Sequence, residues 1–210
     1  MVHNQTHFKQ IKHDMNKRLH ADDILQEKLF LLICLIQQSD EQAFSDFYDL
    51  TVDRVYSLVF RILGDKNDTE EVVCDVFAQI WQQATKYYSE RGSVIGWCLL
   101  VARCRALDLY RKRKTFKEMM KDAMECFDEF SDGSYEPEKV IMLNSDNNET
   151  QKALEQLSMV QKQLLSLAFY KGLSHSEISQ AIDMPLGSVK SNIRRALETL
   201  NIKLKNRDLQ

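Results

Sequence analysis

Close to the C-terminus, three side chains that can hydrogen-bond to DNA bases follow one another at short intervals: Lys190, Asn192 and Arg194. In the major groove, lysine and arginine can donate to the acceptors of guanine, and asparagine can pair in a bidentate manner with adenine. Other polar side chains suited to DNA accompany them: Ser188, Ser191 and Arg195. The alternative interpretation is a solvated basic face on an ordinary helical bundle.

A second group of candidate nucleic-acid ligands lies in the middle of the chain. Aromatic and small polar side chains come first: Tyr87, Tyr88, Ser89, Arg91, Ser93 and Trp97. Residues 103 to 117 then contain seven basic side chains against the single acid Asp108. An unstacked base can lie on an aromatic ring while lysine and arginine hold phosphates, so this segment predicts capture of a single strand. Trp97 is equally compatible with a core position, because its spacing to Val101 fits a buried helix face.

The pattern around the first group predicts a helix-turn-helix. Residues 174 to 177 form a capping box that opens a short helix, residues 183 to 187 predict the turn, and Ser188 is placed to cap the second helix. Apolar side chains of that helix share one face, which leaves the polar set available to solvent. Because such motifs insert their second helix into the major groove, DNA binding is favoured over a merely solvated face.

The block from residue 22 to 115 predicts four helices. Gly64 is placed to end the second helix, and the third begins near Thr69. The outward face of the third helix carries polar side chains: Glu70, Glu71, Asp75 and Gln82. The fourth helix starts near Gly92 or Ser93 and continues into the basic segment, so it would carry most of the predicted single-strand ligands.

Composition and charge predict an all-α fold with two small domains. Two prolines and six glycines in 210 residues leave long uninterrupted stretches, which favours helices. Residues 118 to 149 contain ten acidic side chains against two basic ones, whereas residues 186 to 207 contain six basic against one acidic. We therefore expect the following divisions: a tail over 1–21, a helical domain over 22–115, an acidic linker over 116–149 and a helix-turn-helix domain over 150–210.

Several function classes are disfavoured. The longest apolar run, residues 29 to 36, is far shorter than the roughly 20 residues of a membrane-spanning helix, and the N-terminus lacks the apolar core of a secretory signal. A cytoplasmic protein is expected. The five cysteines include no C-x-x-C pair, which predicts reduced, mostly buried thiols and no metal site. We find no catalytic motif, so neither an enzyme nor a cofactor is expected.

Taken together, ordered motifs in the two blocks resemble the extracytoplasmic-function group of bacterial sigma factors. In region two the resemblance is carried by residues 40–44, by 68–81 and by Trp97, Val101, Ala102, Asp108 and Arg111; in region four it is carried by 172–178 and 185–191. The chain departs from the family pattern at four positions: Cys74, Cys104, Ser158 and Asn192. These departures bear on promoter specificity rather than on the class of function.

The resemblance implies a transcription initiation factor with three contact surfaces. Core RNA polymerase would dock on the third helix through Glu70, Glu71, Asp75 and Gln82. The melted minus-ten strand of promoter DNA would contact Tyr88, Arg91, Ser93, Trp97, Arg103, Arg105, Asp108, Arg111 and Arg113. The upstream element would be read as duplex by Ser188, Lys190, Ser191, Asn192, Arg194 and Arg195. The resemblance also implies an anti-sigma factor as partner; the acidic linker would either follow the nucleic-acid channel of the polymerase or serve as a solvated tether.

Two other classes of function stay open at this point. A stand-alone helix-turn-helix regulator would explain residues 150 to 205 but leave the aromatic and basic segment without a task. A structural helical adaptor would bind partners without the salt dependence that phosphate contacts impose.

Overall fold

The first four helices form an antiparallel bundle that carries the predicted single-strand and polymerase surfaces. The computed structural model describes residues 21–131 and 148–205, with side chains described over 24–90, 92–127 and 152–203. The bundle helices are α1 (Ala21–Ile36), α2 (Glu41–Leu63), α3 (Lys66–Gln83) and α4 (Val94–Arg113). Two short 3₁₀ turns, Ala84–Lys86 and Ser89–Arg91, connect α3 to α4.

Local caps set the bounds of these helices. The Asp40 and Asp65 carboxylates accept from the N–H groups of Ala43 and Asp68, at 2.8 Å and 2.9 Å, and thereby start α2 and α3. Gly64 ends α2 as predicted, since its φ of 70° lies in the left-handed region that favours glycine. The third helix therefore begins three residues earlier than the sequence indicated.

The bundle core lies where α2, α3 and α4 meet. Phe47, Val59, Val76 and Ile80 are fully buried there, and Cys98 enters the same core from α4. On a bundle of this size, these side chains contribute most of the driving force for folding, at about 25 cal/mol per Å² of apolar surface buried.

The C-terminal part of the chain folds around the helix-turn-helix. Its helices are α5 (Phe116–Ser131), α6 (Asn148–Glu155), α7 (Met159–Tyr170), α8 (His175–Ala181) and α9 (Leu186–Lys205). Helices α6, α7 and α8 all pack against α9. Leu164, Leu167, Ile178 and Val189 are fully buried there, and they belong to the same cluster of buried side chains as the bundle core. The all-α prediction is confirmed, because the part of the chain that the structure describes contains helices and turns and no strand.

The first half of the predicted acidic linker is a packed helix. Helix α5 contacts α7 and α8, burying Met119 and Ala123. The buried Gln163 side chain on α7 donates to the Phe127 carbonyl at 3.0 Å. Residues 132–147 and the tail over 1–20 lie outside the described residues, so the domain boundaries stay predictions.

The prediction that the cysteines are mostly buried is wrong. Cys98 is buried, Cys34 and Cys126 are half-buried, and Cys74 and Cys104 are exposed. Cys74 and Cys104 lie within helical segments, but on faces that no neighbouring helix covers. A cysteine in a helical segment does not by itself indicate whether another helix will cover it.

Candidate nucleic-acid interfaces

A rigid corner between α8 and α9 positions the predicted duplex-reading helix. Ser174 Oγ accepts from the Glu177 N–H at 3.3 Å, and Glu177 Oε2 accepts from the Ser174 N–H at 2.7 Å, which confirms the capping box. Hydrogen bonds from Ser174, with a smaller contribution from the Arg111 charge, lower the pKa of Glu177. From within α8, the Ser179 hydroxyl donates to the Met184 carbonyl at 2.7 Å. The capping box therefore sets the start of α8, and the Ser179 bond stabilises the turn between α8 and α9.

Helix α9 buries one face and presents a basic face to solvent. Val189 and Ile193 pack into the core, whereas Lys190, Arg194 and Arg195 are exposed. Lys190 and Arg194 are one turn apart, so their charges share one side of the helix. Arg194 is 3.6 Å from the Glu198 carboxylate, and such an exposed pair contributes little stability and can exchange readily for a phosphate.

Three predicted duplex ligands are less available than the sequence indicated. Helix α9 begins at Leu186, so Ser188 lies inside its first turn and does not cap it. The Ser188 carbonyl accepts from Ser191 Oγ at 3.0 Å and from Asn192 Nδ2 at 2.9 Å. All three side chains are half-buried. The bond to Ser188 uses one of the two N–H donors of the Asn192 amide, which restricts how this amide can pair with adenine.

The loop before α4 is anchored by Tyr87. This side chain is buried, its ring lies 5.7 Å from the Trp97 ring, and its hydroxyl donates to the Gly92 carbonyl at 2.9 Å. Burial, with smaller contributions from Cys34 and Glu90, raises the pKa of Tyr87. Trp97 is half-buried, so part of its ring packs in the core and part is available at the surface.

Two predicted strand ligands lie at the edges of this loop. The Tyr88 ring is 53% exposed. Ser93 caps α4, its hydroxyl accepting from the Gly96 N–H at 3.2 Å. The Arg91 side chain lies outside the described ones.

Two of the four arginines of α4 are held by the C-terminal part of the chain. Arg103 donates from Nε to the Phe169 carbonyl at 2.8 Å and from Nη2 to the Ala168 carbonyl at 3.0 Å. Arg111 donates from Nη2 to the Gly172 carbonyl at 2.7 Å. These two members of the predicted single-strand surface therefore face α7 and the loop that follows it.

The other two predicted arginine ligands are bonded within the bundle. Arg105 Nε donates to Gln79 Oε1 on α3 at 2.6 Å. Arg113 forms an ion pair with Asp68 near the start of α3. Asp108 is exposed on the same helix.

Two further contacts support the closed arrangement of the two parts. The Arg61 guanidinium lies over the Tyr170 ring, 4.2 Å from its centroid, which is within the range of a cation–π contact. Gly172 has a φ of 63°, and a Cβ atom there would lie 2.9 Å from the Leu107 methyl carbons. Only glycine satisfies both the backbone angle and this close approach.

A cluster at the junction of α4 and α5 was not found from the sequence. The Tyr110 hydroxyl donates to Asp122 Oδ2 at 2.6 Å, and the Lys114 ammonium bonds to the same oxygen. Burial, followed by the Asp122 hydrogen bond, raises the pKa of Tyr110. Burial opposes ionisation of Asp122, but the bonds from Lys114 and Tyr110 outweigh it and lower its pKa. The sequence offered no signal, because an aromatic and an acid twelve residues apart meet only when α5 folds back.

The predicted docking face on α3 is exposed to solvent. Glu70, Glu71, Asp75 and Gln82 are all exposed, and Cys74 lies among them. On the opposite face, Phe77 packs against aromatic rings of α2.

Within the described ranges, no helix is long and apolar enough to cross a membrane. Over the same ranges, no group of three or more histidine, cysteine and acidic side chains could hold a metal ion.

Two family models match this chain. The model of sigma-70 region 2 matches residues 47–116, which include most of α2 together with α3 and α4. The model of sigma-70 region 4 matches residues 147–200, which include the helix-turn-helix.

Curated relatives match most of the chain. The extracytoplasmic-function (ECF) RNA polymerase sigma factor SigK of Mycobacterium tuberculosis (strain ATCC 25618 / H37Rv) is 30% identical over 177 residues, covering 84% of this chain and 93% of that protein. SigK of Mycobacterium ulcerans (strain Agy99) is 30% identical over 175 residues, covering 83% and 92%.

Two solved structures are also similar. One is CnrH in complex with the cytosolic domain of CnrY, with 17% identity, 84% of this chain and 96% of that chain covered, and a TM-score of 0.38. The other is the sigma factor RpoE in complex with the anti-sigma factor NepR from Bartonella quintana, with 20% identity, coverage of 77% and 96%, and a TM-score of 0.33.

Proposed function

This chain belongs to the ECF sigma factors of RNA polymerase, and from that premise we propose that it reads the upstream promoter element as duplex and captures the melted minus-ten strand. The observation that carries the proposal is the basic face of α9, where exposed Lys190 and Arg194 lie opposite buried Val189 and Ile193. A helix of this kind, set by a rigid turn against α8, has the geometry that enters a major groove.

Reading of the duplex would rest on a few exposed side chains. Lys190 and Arg194 can donate to guanine acceptors or to phosphate. Arg195 adds a positive charge beside them, which can contact the phosphates of the DNA backbone. Ser188, Ser191 and Asn192 are half-buried, and the Ser191 and Asn192 side chains already bond to the Ser188 carbonyl, so we expect their share of the affinity to be smaller.

Capture of the melted strand would use α4 and the loop before it. Tyr88 offers an exposed ring for an unstacked base, with Ser93, Trp97 and Asp108 beside it along the start and outer face of α4. Stacking of this kind contributes about 1–3 kcal/mol per base. The phosphates would be held by the basic side chains of this surface: Arg91, Arg103, Arg105, Arg111 and Arg113.

We expect phosphate binding by Arg103 and Arg111 to be accompanied by separation of the two parts of the chain, so that more of their donors face DNA. In the closed arrangement both side chains donate to neutral carbonyls at residues 168, 169 and 172. A phosphate is a charged acceptor and forms the stronger bond, so the exchange is favourable once DNA is near. Separation also frees α9 to reach a duplex at a distance from the melted region.

Docking on core RNA polymerase would use the acidic outer face of α3. Its carboxylates, Glu70, Glu71 and Asp75, fit a basic surface on the polymerase, and Gln82 extends this face towards the end of the helix. Since the same face is open in the free chain, an anti-sigma factor could sequester it. The protein would act in the cytoplasm, where promoter DNA is found, and would bring no catalytic group or cofactor of its own.

In-vitro transcription tests this function directly. Purified chain would be added to sigma-free bacterial core polymerase with fragments of its own genome, and RNA 5′ ends would be mapped. We expect discrete new start sites that disappear when Lys190 and Arg194 are both changed to Ala. If no starts and no core association are found while duplex binding is retained, the chain is a stand-alone regulator instead.

A further inference from the structure

A groove between α3 and α4 contains a hydrogen bond that links the predicted docking helix to the predicted strand-binding helix. The groove has a volume of about 400 Å³. Trp97 and the 56% exposed Leu100 provide its apolar lining, and Arg105 and Asp108 supply charge. Gln79 is the lining residue that comes from α3.

Gln79 orients the Arg105 side chain. Its Oε1 atom accepts from Arg105 Nε at 2.6 Å, and its Nε2 atom donates to Gln83 Oε1 at 3.4 Å. The second bond, although long, favours the amide orientation in which the oxygen faces Arg105. A guanidinium has five N–H donors, so this contact uses one and leaves the Nη groups for an external acceptor.

The partner of Arg105 is neutral and lies within the bundle, unlike the partners of the other α4 arginines. Arg103 and Arg111 bond to neutral carbonyls of the C-terminal part, so their orientation depends on how the two parts of the chain are arranged. Arg113 pairs with the Asp68 carboxylate, which compensates its charge. Gln79 is neutral and belongs to the same bundle, so it orients Arg105 while leaving the positive charge available to a phosphate.

We propose that Gln79 is a positioning residue, which holds Arg105 ready for a phosphate of the melted strand at the mouth of the α3–α4 groove. This inference rests on the proposed function, because it assigns a role in promoter opening. Fixing an arginine side chain costs rotamer entropy. A bond formed before DNA arrives removes part of that cost from the opening step. The helix that docks on polymerase thereby also preorganises the helix that holds DNA.

The test separates core binding from promoter opening in the reconstituted holoenzyme. Gln79→Leu removes the acceptor at similar volume, Gln79→Glu keeps an acceptor, and Gln82→Leu is the matched change on the docking face of the same helix. Core affinity would be measured by fluorescence anisotropy. Opening would be measured by 2-aminopurine in the minus-ten strand, at saturating core and on a promoter mapped with the wild-type chain.

We expect Gln79→Leu to keep wild-type core affinity and to lower the opening rate about tenfold, as for loss of one hydrogen bond to a charged group. Gln79→Glu keeps an acceptor but compensates the Arg105 charge, so it should also open the promoter more slowly than the wild type while core affinity is kept. Gln82→Leu should weaken core binding but open normally once core is saturating. In the Arg105→Ala background, Gln79→Leu should cause no further loss, because the residue acts only through Arg105.

Opposite results would overturn the role of Gln79. These are a wild-type opening rate in a folded Gln79→Leu protein, additive losses with Arg105→Ala, or weaker core binding as the main effect of Gln79→Leu. If Gln79→Leu does not fold, a wild-type opening rate in Gln79→Glu would be equally contrary. A wild-type chain that directs no start sites with core polymerase would overturn the proposed function itself, and the role of Gln79 with it.

Discussion

The Arg103 guanidinium is bound to Phe169 in two ways: Nε donates to its carbonyl at 2.8 Å, and the cation lies 4.9 Å from the centroid of its ring. The two residues are far apart in the sequence and belong to the two parts of the chain. A predicted DNA ligand therefore stabilises the closed arrangement of the free protein. Any DNA contact by Arg103 competes with this one.

Changing Arg103 to Ala should loosen the closed arrangement. The variant loses two charge-assisted bonds, each of which contributes about 1.5–3 kcal/mol. We expect a larger radius of gyration in small-angle X-ray scattering, with unchanged helix content by circular dichroism. Lys112→Ala, an exposed neighbour in the same basic segment, should keep the wild-type radius. Equal radii for wild type and Arg103→Ala would show that this contact does not hold the parts together.

Changing Gly172 to Ala should destabilise the protein. A left-handed backbone angle costs a non-glycine residue about 1–2 kcal/mol, and the new methyl group would also press on Leu107. Urea unfolding would measure the loss. Gly187→Ala is the control, because no atom lies near its Cβ position and α9 should become slightly more stable. A wild-type midpoint for Gly172→Ala would contradict the close approach to Leu107.

Lys190 and Asn192 should differ in their contribution to duplex binding. Lys190→Ala removes an exposed charge, so affinity for the upstream element should fall and the salt dependence should lose about one counterion. Asn192→Ala removes an amide that bonds to the Ser188 carbonyl, so its effect should be clearly smaller. Titration of a labelled duplex at several salt concentrations measures both. A larger loss for Asn192→Ala would mean that its amide turns outward on DNA.

Alkaline pH should destabilise the fold through Cys98. Burial raises the pKa of this thiol from its ordinary value of 9.0 to about 12. The contribution of the neutral Cys98 thiol to the free energy of unfolding is therefore fully present below pH 9 and is lost as pH rises towards 12. In that window the free energy of unfolding should fall by up to about 1.4 kcal/mol per pH unit. Cys98→Ala should show a shallower slope between pH 9 and 11, and an unchanged slope would exclude this thiol as the cause.

Core polymerase should protect Cys74 from alkylation. This thiol is exposed on the docking face of α3, whereas the exposed Cys104 lies on α4 at the groove. With iodoacetamide and peptide mass spectrometry, we expect both to react in the free chain. Bound core polymerase, in the absence of DNA, should slow the alkylation of Cys74 and leave the alkylation rate of Cys104 unchanged. Protection of Cys104 alone would place the docking surface elsewhere.

Much of the local structure could be predicted because it depends on interactions within about four residues. The cap at Ser174, the left-handed Gly64 and the start of α4 after Ser93 all follow from side chains close in sequence to the backbone groups they satisfy. The exposure of Lys190 and Arg194 follows equally from helical periodicity. Such signals were also sufficient to predict the all-α fold, whereas the family was predicted from the resemblance of ordered motifs.

The partners of the α4 arginines were decided only by tertiary structure. Arg105 meets Gln79, Arg103 meets Phe169 and Arg111 meets Gly172 because of how helices from distant parts of the chain are aligned. The amino-acid sequence of the basic segment is compatible with side chains that face solvent, DNA or another part of the protein, so it does not predict their partners. The exposure of Cys74 and Cys104 and the folding back of α5 onto α7 have the same origin. A sequence determines which face of a helix is apolar, but which other segment covers the remaining surface depends on packing among all the helices at once.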